Sequence, residues 1–413
     1  MSDCGCDSVK GHLTPYNEAL DNLLNAAVPG RETETVALAD ALDRVLAVPL
    51  VSTVDVPPAD NSAMDGYAVS SVEASNRGEI RLPISQRIAA GEVGKPLRAG
   101  SAARIFTGAP IPEGADVVIM QERVRVEGGA IVFEGPYEPH TNVRFAAEDI
   151  KKGEQILEVG TQLRAQELGV AASIGYAQLE VFKRVTVGVF FTGDELIEPG
   201  QALGPGQIYD SNRYTIVGLL KSLGCEIFDL GIVGDTFEAT RAAMEEVAAK
   251  ADLVITSGGV SVGEEDYIRA VVEALGTLDM WRVKIKPGKP LAFGQVNGTP
   301  FLGLPGNPVA VFVTFCLFVS PYIKRMQGMS TPVAPSIPVQ ADFKWTAGKR
   351  REFVRARLVQ NSDGRTVAQI YHHQGSGVLA STSWSDGLIM IPEGVSVEPG
   401  EQVDYTAFSS LLA

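Results

Sequence analysis

The stretch TSGGVSVGEEDY, residues 256–267, places glycines directly before three carboxylates. A glycine-rich segment of this kind is typical of a loop whose backbone N–H groups face a phosphate. Glu264, Glu265 and Asp266 would repel that phosphate unless a hard divalent cation lay between them. Magnesium commonly binds one or two carboxylates and completes its coordination shell with phosphate oxygens and water. The combination predicts a phosphate-binding loop with a magnesium ion beside it.

Four further segments have glycine or proline beside polar groups, and we expect each to fall at the carboxyl end of a strand. They are FFTGDEL, LGIVGDT, IKPGKP and GLPGNP. The candidate metal ligands on these loops are Glu195, Asp235 and Asp266. Two lysines would offset the remaining negative charge as compact cations at a phosphate or oxyanion. The other candidates for ligand binding or catalysis are Lys286, Lys289, Pro290, Gly258, Gly259, Ser261 and Gly263.

Each segment also has a simpler interpretation. The glycine loop lacks the Lys-Ser/Thr ending of a P-loop and the spacing of a dinucleotide fingerprint, so alone it is more typical of a turn. The acids would also favour the N-terminus of a helix, and KPGK would suit a hairpin turn. Five such loops at one edge of a sheet favour a ligand site. No histidine falls in these loops, which argues against a Ser-His-Asp arrangement.

The elements that position these loops form an alternating pattern over residues 176–328. Apolar strands alternate with amphipathic helices, which predicts an α/β domain with a mainly parallel sheet and helices on both faces. Ligands of such sheets bind beyond the carboxyl ends of the strands. We expect one helix to begin with Ser211 as its N-cap and to stop at Gly224.

The regions on either side of the α/β domain predict two β modules and one helical segment. Residues 12–45 show helical periodicity with Leu20, Leu23 and Leu24 on one face, whereas residues 48–145 contain short strands and many turns. We expect residues 48–145 to be a β domain inserted into a discontinuous linking domain of residues 12–47 and 146–175. A proline-rich linker precedes a C-terminal β-barrel or sandwich at residues 329–413. Residues 1–11 read as a mobile tail.

Composition restricts the partners. Acidic residues outnumber basic ones by 50 to 35, for a formal net charge of −15, which disfavours nucleic-acid and anionic membrane surfaces. Four cysteines suit a reducing cytosol, and Cys4 and Cys6 stay unassigned. No signal-peptide pattern is visible. The apolar run at 309–319 is shorter than the ~20 residues of a membrane span and predicts a buried helix that begins at Pro308. We expect a cytoplasmic protein.

Several long motifs occur in an order that resembles the molybdopterin molybdenumtransferases (MoeA), which are related to the E domain of gephyrin. They are DVPPADNSAMDGYAV, RIFTGAPIPEGADVVIMQE, FFTGDEL, GQIYDSNR, TSGGVSVGEEDY, IKPGKPLAFG, GLPGNPVAV and HHQGSG. The resemblance covers nearly the whole chain after the N-terminal tail. It implies an elongated homodimer of four-domain subunits. The implied reaction inserts molybdate into adenylylated molybdopterin with release of AMP and requires a divalent cation such as magnesium.

The resemblance also implies roles for particular residues. Asp60 and Thr107 match functional positions of the β-side domains, where they would act on the site of the other subunit. Glu195, Asp235 and Asp266 match the acidic positions of the main site. The implied oxyanion pocket for molybdate contains Lys286, Lys289, Pro290, Arg355 and Ser376. Arg282 departs from the family, which often has lysine directly after the tryptophan, and its guanidinium does not lose a proton as an ammonium does.

Two other functions stay open. The same crevice could adenylylate molybdopterin with ATP, although proteins of that kind are small single-domain chains. A non-catalytic dimeric scaffold that clusters partners is the second alternative, and it would not need the carboxylates of the cleft.

Overall fold

The computed structural model describes residues 13–30, 32–258 and 267–412, and these residues form three six-stranded sheets joined by shorter two-stranded ribbons. Residues 13–182 contain α1 (Tyr16–Ala26), β1 (Thr33–Ala37), β2 (Leu50–Val51), β3 (Asn61–Ser62), β4 (Gly66–Val69), α2 (Ser71–Ala74), β5 (Gly78–Ile88), β6 (Ala102–Ile105), β7 (Val117–Met120), β8 (Arg125–Glu127), β9 (Ala130–Gly135), β10 (Val143–Arg144), β11 (Gln155–Leu157), α3 (Ala165–Ser173) and β12 (Gln178–Phe182).

The first six-stranded sheet has the order β7-β4-β6-β5-β9-β8 and forms the predicted β module. Two ribbons lie outside this sheet. Ribbon β1-β12 joins segments on both sides of the module in the sequence, and ribbon β2-β11 pairs the first residues of the module with a strand beyond its end. This pairing supports an insertion, while the domain boundaries stay a prediction.

The helical prediction for residues 12–45 is right only for its first part. Helix α1 ends at Ala26, and residues 33–37 are a strand that pairs antiparallel with β12. Pro29 and Gly30 disfavour continuation of the helix, and the following Thr-Glu-Thr-Val segment suits a strand. Helix α1 packs through Ala19, Leu20 and Leu23 into the core of the α/β domain.

The α/β domain begins after β12. Its elements are β13 (Thr186–Thr192), β14 (Leu196–Ile197), β15 (Ile208–Tyr209), α4 (Ser211–Ser222), β16 (Glu226–Val233), α5 (Phe237–Ala248), β17 (Leu253–Ser257), α6 (Tyr267–Leu275), β18 (Gly276–Arg282), β19 (Ile285–Lys286), β20 (Pro290–Val296), β21 (Thr299–Leu304), α7 (Pro308–Thr314), a π-helical segment (Phe315–Val319) and α8 (Ser320–Met326).

The sheet of this domain has the order β16-β13-β17-β21-β20-β18 and is mainly parallel, as predicted. The strands β16, β13, β17 and β21 run parallel, whereas β20 and β18 are antiparallel to their neighbours. Alternate residues of β13 face two different cores: Val187 and Val189 belong to a core with residues of α1, α4, α7 and α8, and Phe190 belongs to a core with residues of α5 and α6. Gly188 permits the close approach of α5, because a Cβ there would lie 1.9 Å from Val247 Cγ1.

The start of α4 differs from the prediction. Its N-cap is Asp210, whose side chain accepts a hydrogen bond from Arg213 N at 3.0 Å, and Ser211 is the first helical residue. Aspartate and serine are equally good N-caps, so local sequence did not distinguish them. The predicted stop is confirmed, since Gly224 follows the helix with a φ of +69°.

The apolar run is confirmed as a buried helix opened by a proline at its first turn. The whole helix Pro308–Met326 has 19 residues and is long and apolar enough to cross a membrane, but 89% of its 18-residue apolar stretch is buried inside the protein. Its side chains fill the core between the sheet, α1 and the C-terminal domain. The helix is thus accounted for as a core element.

The C-terminal region contains β22 (Ile337–Ala341), β23 (Trp345–Thr346), β24 (Arg351–Gln360), β25 (Thr366–Ile370), α9 (Ala380–Trp384), β26 (Gly387–Ile391), β27 (Ser396–Val397), β28 (Gln402–Ala407) and α10 (Phe408–Leu412). Strands β24, β25, β22, β28 and β26 follow one another, and β26 pairs back with β24, which closes a five-stranded barrel. The barrel predicted from the sequence is confirmed. Strand β19 of the preceding segment adds to it in parallel beside β24.

Candidate functional site at the ends of the parallel strands

The register of the α/β sheet places the polar loops at one edge. Thr192 pairs with Val233, and Ser257 pairs with both Phe191 and Leu304, so four parallel strands end side by side. The reversed strand β20 begins at this edge with Pro290, which pairs with Arg282 at the end of β18. The loops that carry Glu195, Asp235, Gly258, Arg282, Lys289 and Pro290 therefore start or end at the same edge.

Two of the three predicted metal ligands belong to neighbouring loops. Glu195 follows β13 and is exposed, and Asp235 follows β16 and is half-buried. Asp266 lies outside the described residues, as do Gly259, Ser261 and Gly263. Within residues 13–30, 32–258 and 267–412, no three His, Cys, Asp or Glu side chains converge as a metal site. Two carboxylates on adjacent strand ends nevertheless suit magnesium, which needs only one or two from the protein.

The start of the glycine loop is fixed by its neighbours. Gly258 has a φ of +86°, and its N–H donates to Leu304 O at 3.1 Å. Asn212, at the start of α4, donates through Nδ2 to Ser257 Oγ at 2.9 Å and to Gly306 O at 2.8 Å. Sequence reasoning missed Asn212. The signal was its position in the GQIYDSNR motif, at the start of a predicted helix.

The lysine segment connects the α/β domain to the barrel. Lys286 Nζ lies 3.3 Å from Glu352 Oε1 of β24. Gly288 has a φ of +97°, and a Cβ there would lie 2.4 Å from Thr314 Oγ1, so this turn requires glycine. Lys289 accepts a hydrogen bond at its carbonyl from Val283 N at 2.8 Å. Glu352 was also missed, although a glutamate within an otherwise apolar strand was visible in REFV.

Arg355 is the most deeply buried charged side chain near this segment, with 1% of its surface exposed. Its guanidinium donates to Ser381 Oγ at 3.0 Å, Gly375 O at 3.0 Å and His373 O at 3.4 Å, which are all neutral groups. Burial lowers the pKa of Arg355 to about 10. A buried guanidinium with neutral partners favours an anion nearby, because the anion would balance its charge.

A backbone hydrogen bond at Ser376 connects the C-terminal domain to the polar edge of the α/β sheet. Its carbonyl accepts a hydrogen bond from Val309 N at 3.0 Å, in the first turn of α7. This helix begins directly after the GLPGNP loop that follows β21. Ser376 and the residues that bind the Arg355 guanidinium belong to one segment, so the contact places that segment beside a polar loop of the site.

Asp60 and Thr107 lie in the N-terminal β module, as their sequence positions required. Asp60 Oδ1 accepts from Ala146 N at 2.7 Å. Thr107 donates to Asp65 Oδ1 twice, from its backbone N and from Oγ1, each at 2.8 Å. These hydrogen bonds lower the pKa of Asp65, with the larger effect from the backbone N–H. Sequence reasoning missed Asp65, although it lies in the same PADNSAMDGYAV motif as Asp60.

The fold and the polar edge define a multidomain protein whose mainly parallel α/β sheet has a candidate ligand site at its strand ends. Three family models match consecutive parts of the chain. They are the MoeA N-terminal region (domain I and II) at residues 14–175, the probable molybdopterin binding domain at residues 188–325 and the MoeA C-terminal region (domain IV) at residues 338–408.

Relatives with this organisation are similar over almost the whole chain. The molybdopterin molybdenumtransferase of Haemophilus influenzae is 41% identical over 406 residues, covering 97% of this chain and 100% of the relative. The enzyme of that name from Nostoc sp. is 39% identical, with 90% and 88% covered. The crystal structure of the molybdopterin biosynthesis moeA protein of Pyrococcus horikoshii OT3 matches with a TM-score of 0.84, 31% identity and 96% and 100% coverage. This chain belongs to the molybdopterin molybdenumtransferase family and is a transferase.

Proposed function

We propose that this protein inserts molybdenum from molybdate into adenylylated molybdopterin and releases AMP. The names of the relatives and the molybdopterin-binding domain model support a role in molybdenum cofactor biosynthesis. One observation carries the proposal of molybdenum insertion with release of AMP: the Arg355 guanidinium is buried and its hydrogen-bond partners are neutral. Such a group favours a small oxyanion beside the segment of Ser376, which contacts α7.

In this proposal the residues of the edge divide into two groups. Gly258, whose own N–H donates to Leu304 O, precedes the expected phosphate-binding residues Gly259, Ser261 and Gly263, whose backbone N–H groups would bind the phosphates. Lys286, Lys289 and Arg355 hold molybdate, with Pro290, Ser376 and Arg282 shaping its pocket. Preorganised cations of this kind stabilise the negative charge that develops as AMP leaves, without a covalent enzyme intermediate.

Magnesium is part of the proposal. Glu195 and Asp235, together with Asp266, would hold it, since carboxylate oxygens are its preferred protein ligands. When bound, the ion would neutralise charge on the phosphate oxygens and so reduce their repulsion from these acids. The protein's own part is to keep two carboxylates at neighbouring strand ends.

We also propose that the protein is a cytoplasmic homodimer in which Asp60 and Thr107 complete the site of the other subunit. Asp60 and Thr107 belong to the β module, whereas Glu195, Asp235 and the lysine segment belong to the α/β domain. Other proteins of cofactor biosynthesis would supply its substrate, and nucleic acids and membranes are not expected as partners.

The test is to incubate the purified protein with adenylylated molybdopterin, molybdate and magnesium, and to quantify AMP by chromatography. AMP that forms only with molybdate is the expected result, and the matched control is the same protein without molybdate. Pyrophosphate release from ATP and molybdopterin would instead support the adenylyltransferase alternative. Intact bound substrate, with no AMP in the first assay and no pyrophosphate in the second, would contradict catalysis and favour a scaffold.

A further inference from the structure

A buried carboxylate lies behind the lysine segment, on the first part of the barrel strand β24. Glu352 has 4% of its surface exposed, yet it carries a charge that the mechanism above does not use. Its Oε2 accepts from Trp345 Nε1 at 3.0 Å, and its Oε1 accepts from Gly348 N at 3.0 Å. Both of these donors are neutral, so they satisfy the hydrogen-bonding capacity of the carboxylate without balancing its charge.

The balancing charge comes from Lys286. Its Nζ lies 3.3 Å from the same Oε1, and 47% of the lysine side chain remains exposed. Burying an uncompensated carboxylate is costly, so this ion pair is more constrained than a pair between two exposed side chains. The buried carboxylate of Glu352 thus fixes the position of the Lys286 ammonium, while part of the lysine side chain stays exposed to solvent.

The backbone reinforces this contact. Strands β19 and β24 pair in parallel, and in that register Lys286 is the direct partner of Glu352. Arg351 N donates to Lys284 O at 3.0 Å, and the guanidinium of Arg350 donates to Ile285 O at 3.3 Å. The two residues before Lys286 are therefore fixed to the barrel strand through their carbonyl groups. Arg355 lies three residues further along the same barrel strand.

We propose that Glu352 is a positioning residue that fixes the Lys286 ammonium for oxyanion binding. Glu352 does not touch the substrate and acts through Lys286. This inference rests on the proposed function for its effect on molybdate, whereas the ion pair itself does not depend on that function.

The first test is a double-mutant cycle of Glu352→Gln and Lys286→Met in the AMP assay. Glutamine keeps the size and hydrogen-bonding shape of glutamate but removes its charge. We expect Glu352→Gln to raise the KM for molybdate about tenfold with kcat changed less than about twofold, because a half-exposed ion pair to a buried carboxylate lies between surface and buried pairs. In the Lys286→Met background the same substitution should add little. Equal effects in both backgrounds would overturn the proposal.

A second variant addresses the chance that Glu352→Gln fails to fold. Trp345→Phe removes the donor to Oε2 and leaves the charge in place, so the carboxylate is held less firmly. We expect a smaller rise in the KM for molybdate, about two- to threefold. Thr346→Ser is the matched control on the same short strand, and it should leave the KM unchanged. An unchanged KM in Trp345→Phe would contradict the positioning role.

A third readout is independent of the proposed function. Acetic anhydride labelling followed by mass spectrometry measures how readily each lysine amine reacts, with exposed Lys95 as the internal reference. Loss of the ion pair in Glu352→Gln, or its weakening in Trp345→Phe, should raise the labelling rate of Lys286 relative to Lys95 by about two- to fivefold. If the protein releases no AMP but this rate rises, the proposed function fails and the positioning contact stands. An unchanged rate overturns the inference.

Discussion

Asn212 joins the ends of two neighbouring strands of the α/β sheet. Its Nδ2 donates to Ser257 Oγ at the end of β17 and to Gly306 O after β21. Ser257 Oγ also donates to Pro305 O at 3.1 Å, so one side-chain pair fixes the spacing of two loops of the candidate site. The glycine turn begins one residue later.

Replacing Asn212 should weaken the contact between the ends of β17 and β21. We expect Asn212→Ala to lower the free energy of unfolding by about 1–3 kcal/mol, because it leaves the buried Ser257 hydroxyl and the Gly306 carbonyl without this donor. The matched control is Asn76→Ala, since Asn76 is exposed and donates only to Glu73 O of its own turn. Chemical denaturation of both variants measures the difference, and equal stabilities would contradict the role of Asn212.

Arg355 should be essential for molybdate binding. Arg355→Met removes the charge and keeps much of the volume, and we expect the KM for molybdate to rise at least about tenfold. Arg355→Lys should not restore it, because an ammonium cannot reproduce the planar set of hydrogen bonds to three acceptors.

The control for Arg355 is Arg357→Lys on the same strand. Arg357 stacks over the ring of Trp384, with its Cζ 4.2 Å from the centroid, and a lysine there retains a cation over the ring. Its KM for molybdate should stay within about twofold of the unmodified protein. An Arg355→Met protein that folds normally and keeps its KM would exclude Arg355 from the oxyanion pocket.

The two described acids should set the magnesium requirement. We expect Glu195→Gln and Asp235→Asn each to raise the magnesium concentration for half-maximal AMP release by about tenfold or more. Asp194→Asn is the matched control, since Asp194 is the exposed neighbour of Glu195. The measurement is AMP release by the three variants as a function of magnesium concentration. The same half-maximal concentration in all three would exclude Glu195 and Asp235 from the proposed metal site.

Thr107 should control the ionisation of Asp65. The two hydrogen bonds from Thr107 lower the pKa of Asp65 from its ordinary value of 3.8. A carboxyl whose pKa is lower in the folded state stabilises the fold above that ordinary value, and this stabilisation is lost as the pH falls through the folded-state pKa. Thr107→Ala removes one hydrogen bond, so the pKa of Asp65 should rise and the variant should lose less stability on acidification.

Carbon-detected NMR titration of the Asp65 carboxyl measures this change directly. Thr141→Ala is a suitable control, because Thr141 Oγ1 donates to Glu138 O within its own turn. The pKa of Asp65 should be the same in this control as in the unmodified protein. A Thr107→Ala protein with an unshifted Asp65 pKa would show that the hydroxyl has no part in the effect.

If Asp60 acts on the site of the other subunit, two different impaired variants should restore activity when they are combined in one dimer. We expect Asp60→Asn and Glu195→Gln homodimers each to be impaired. Heterodimers purified with two different tags should recover about half of the unmodified activity, because one of the two symmetry-related sites then has both native residues. Heterodimers as inactive as the parents would show that both residues act within one subunit.

The candidate site was predictable where it depends on a general rule of α/β sheets. Carboxyl ends of parallel strands meet at one edge, so the loops of Glu195, Asp235 and Gly258 had to lie together once the alternation of strands and helices was recognised. The barrel likewise followed from its short strands and turns. The failures were local: Ser211 instead of Asp210 as the cap of α4, and a helix continued past Gly30.

The sequence alone thus determined the order of elements, the polar edge and the resemblance to a family, because propensity, periodicity and long motifs are properties of neighbouring residues. Only the tertiary structure revealed the partners of the key groups. Lys286 and Glu352 are 66 residues apart, Asn212 and Ser257 are 45 apart, and Thr107 and Asp65 are 42 apart. Such contacts arise when several elements pack together, and no local pattern encodes which of many compatible side chains will meet.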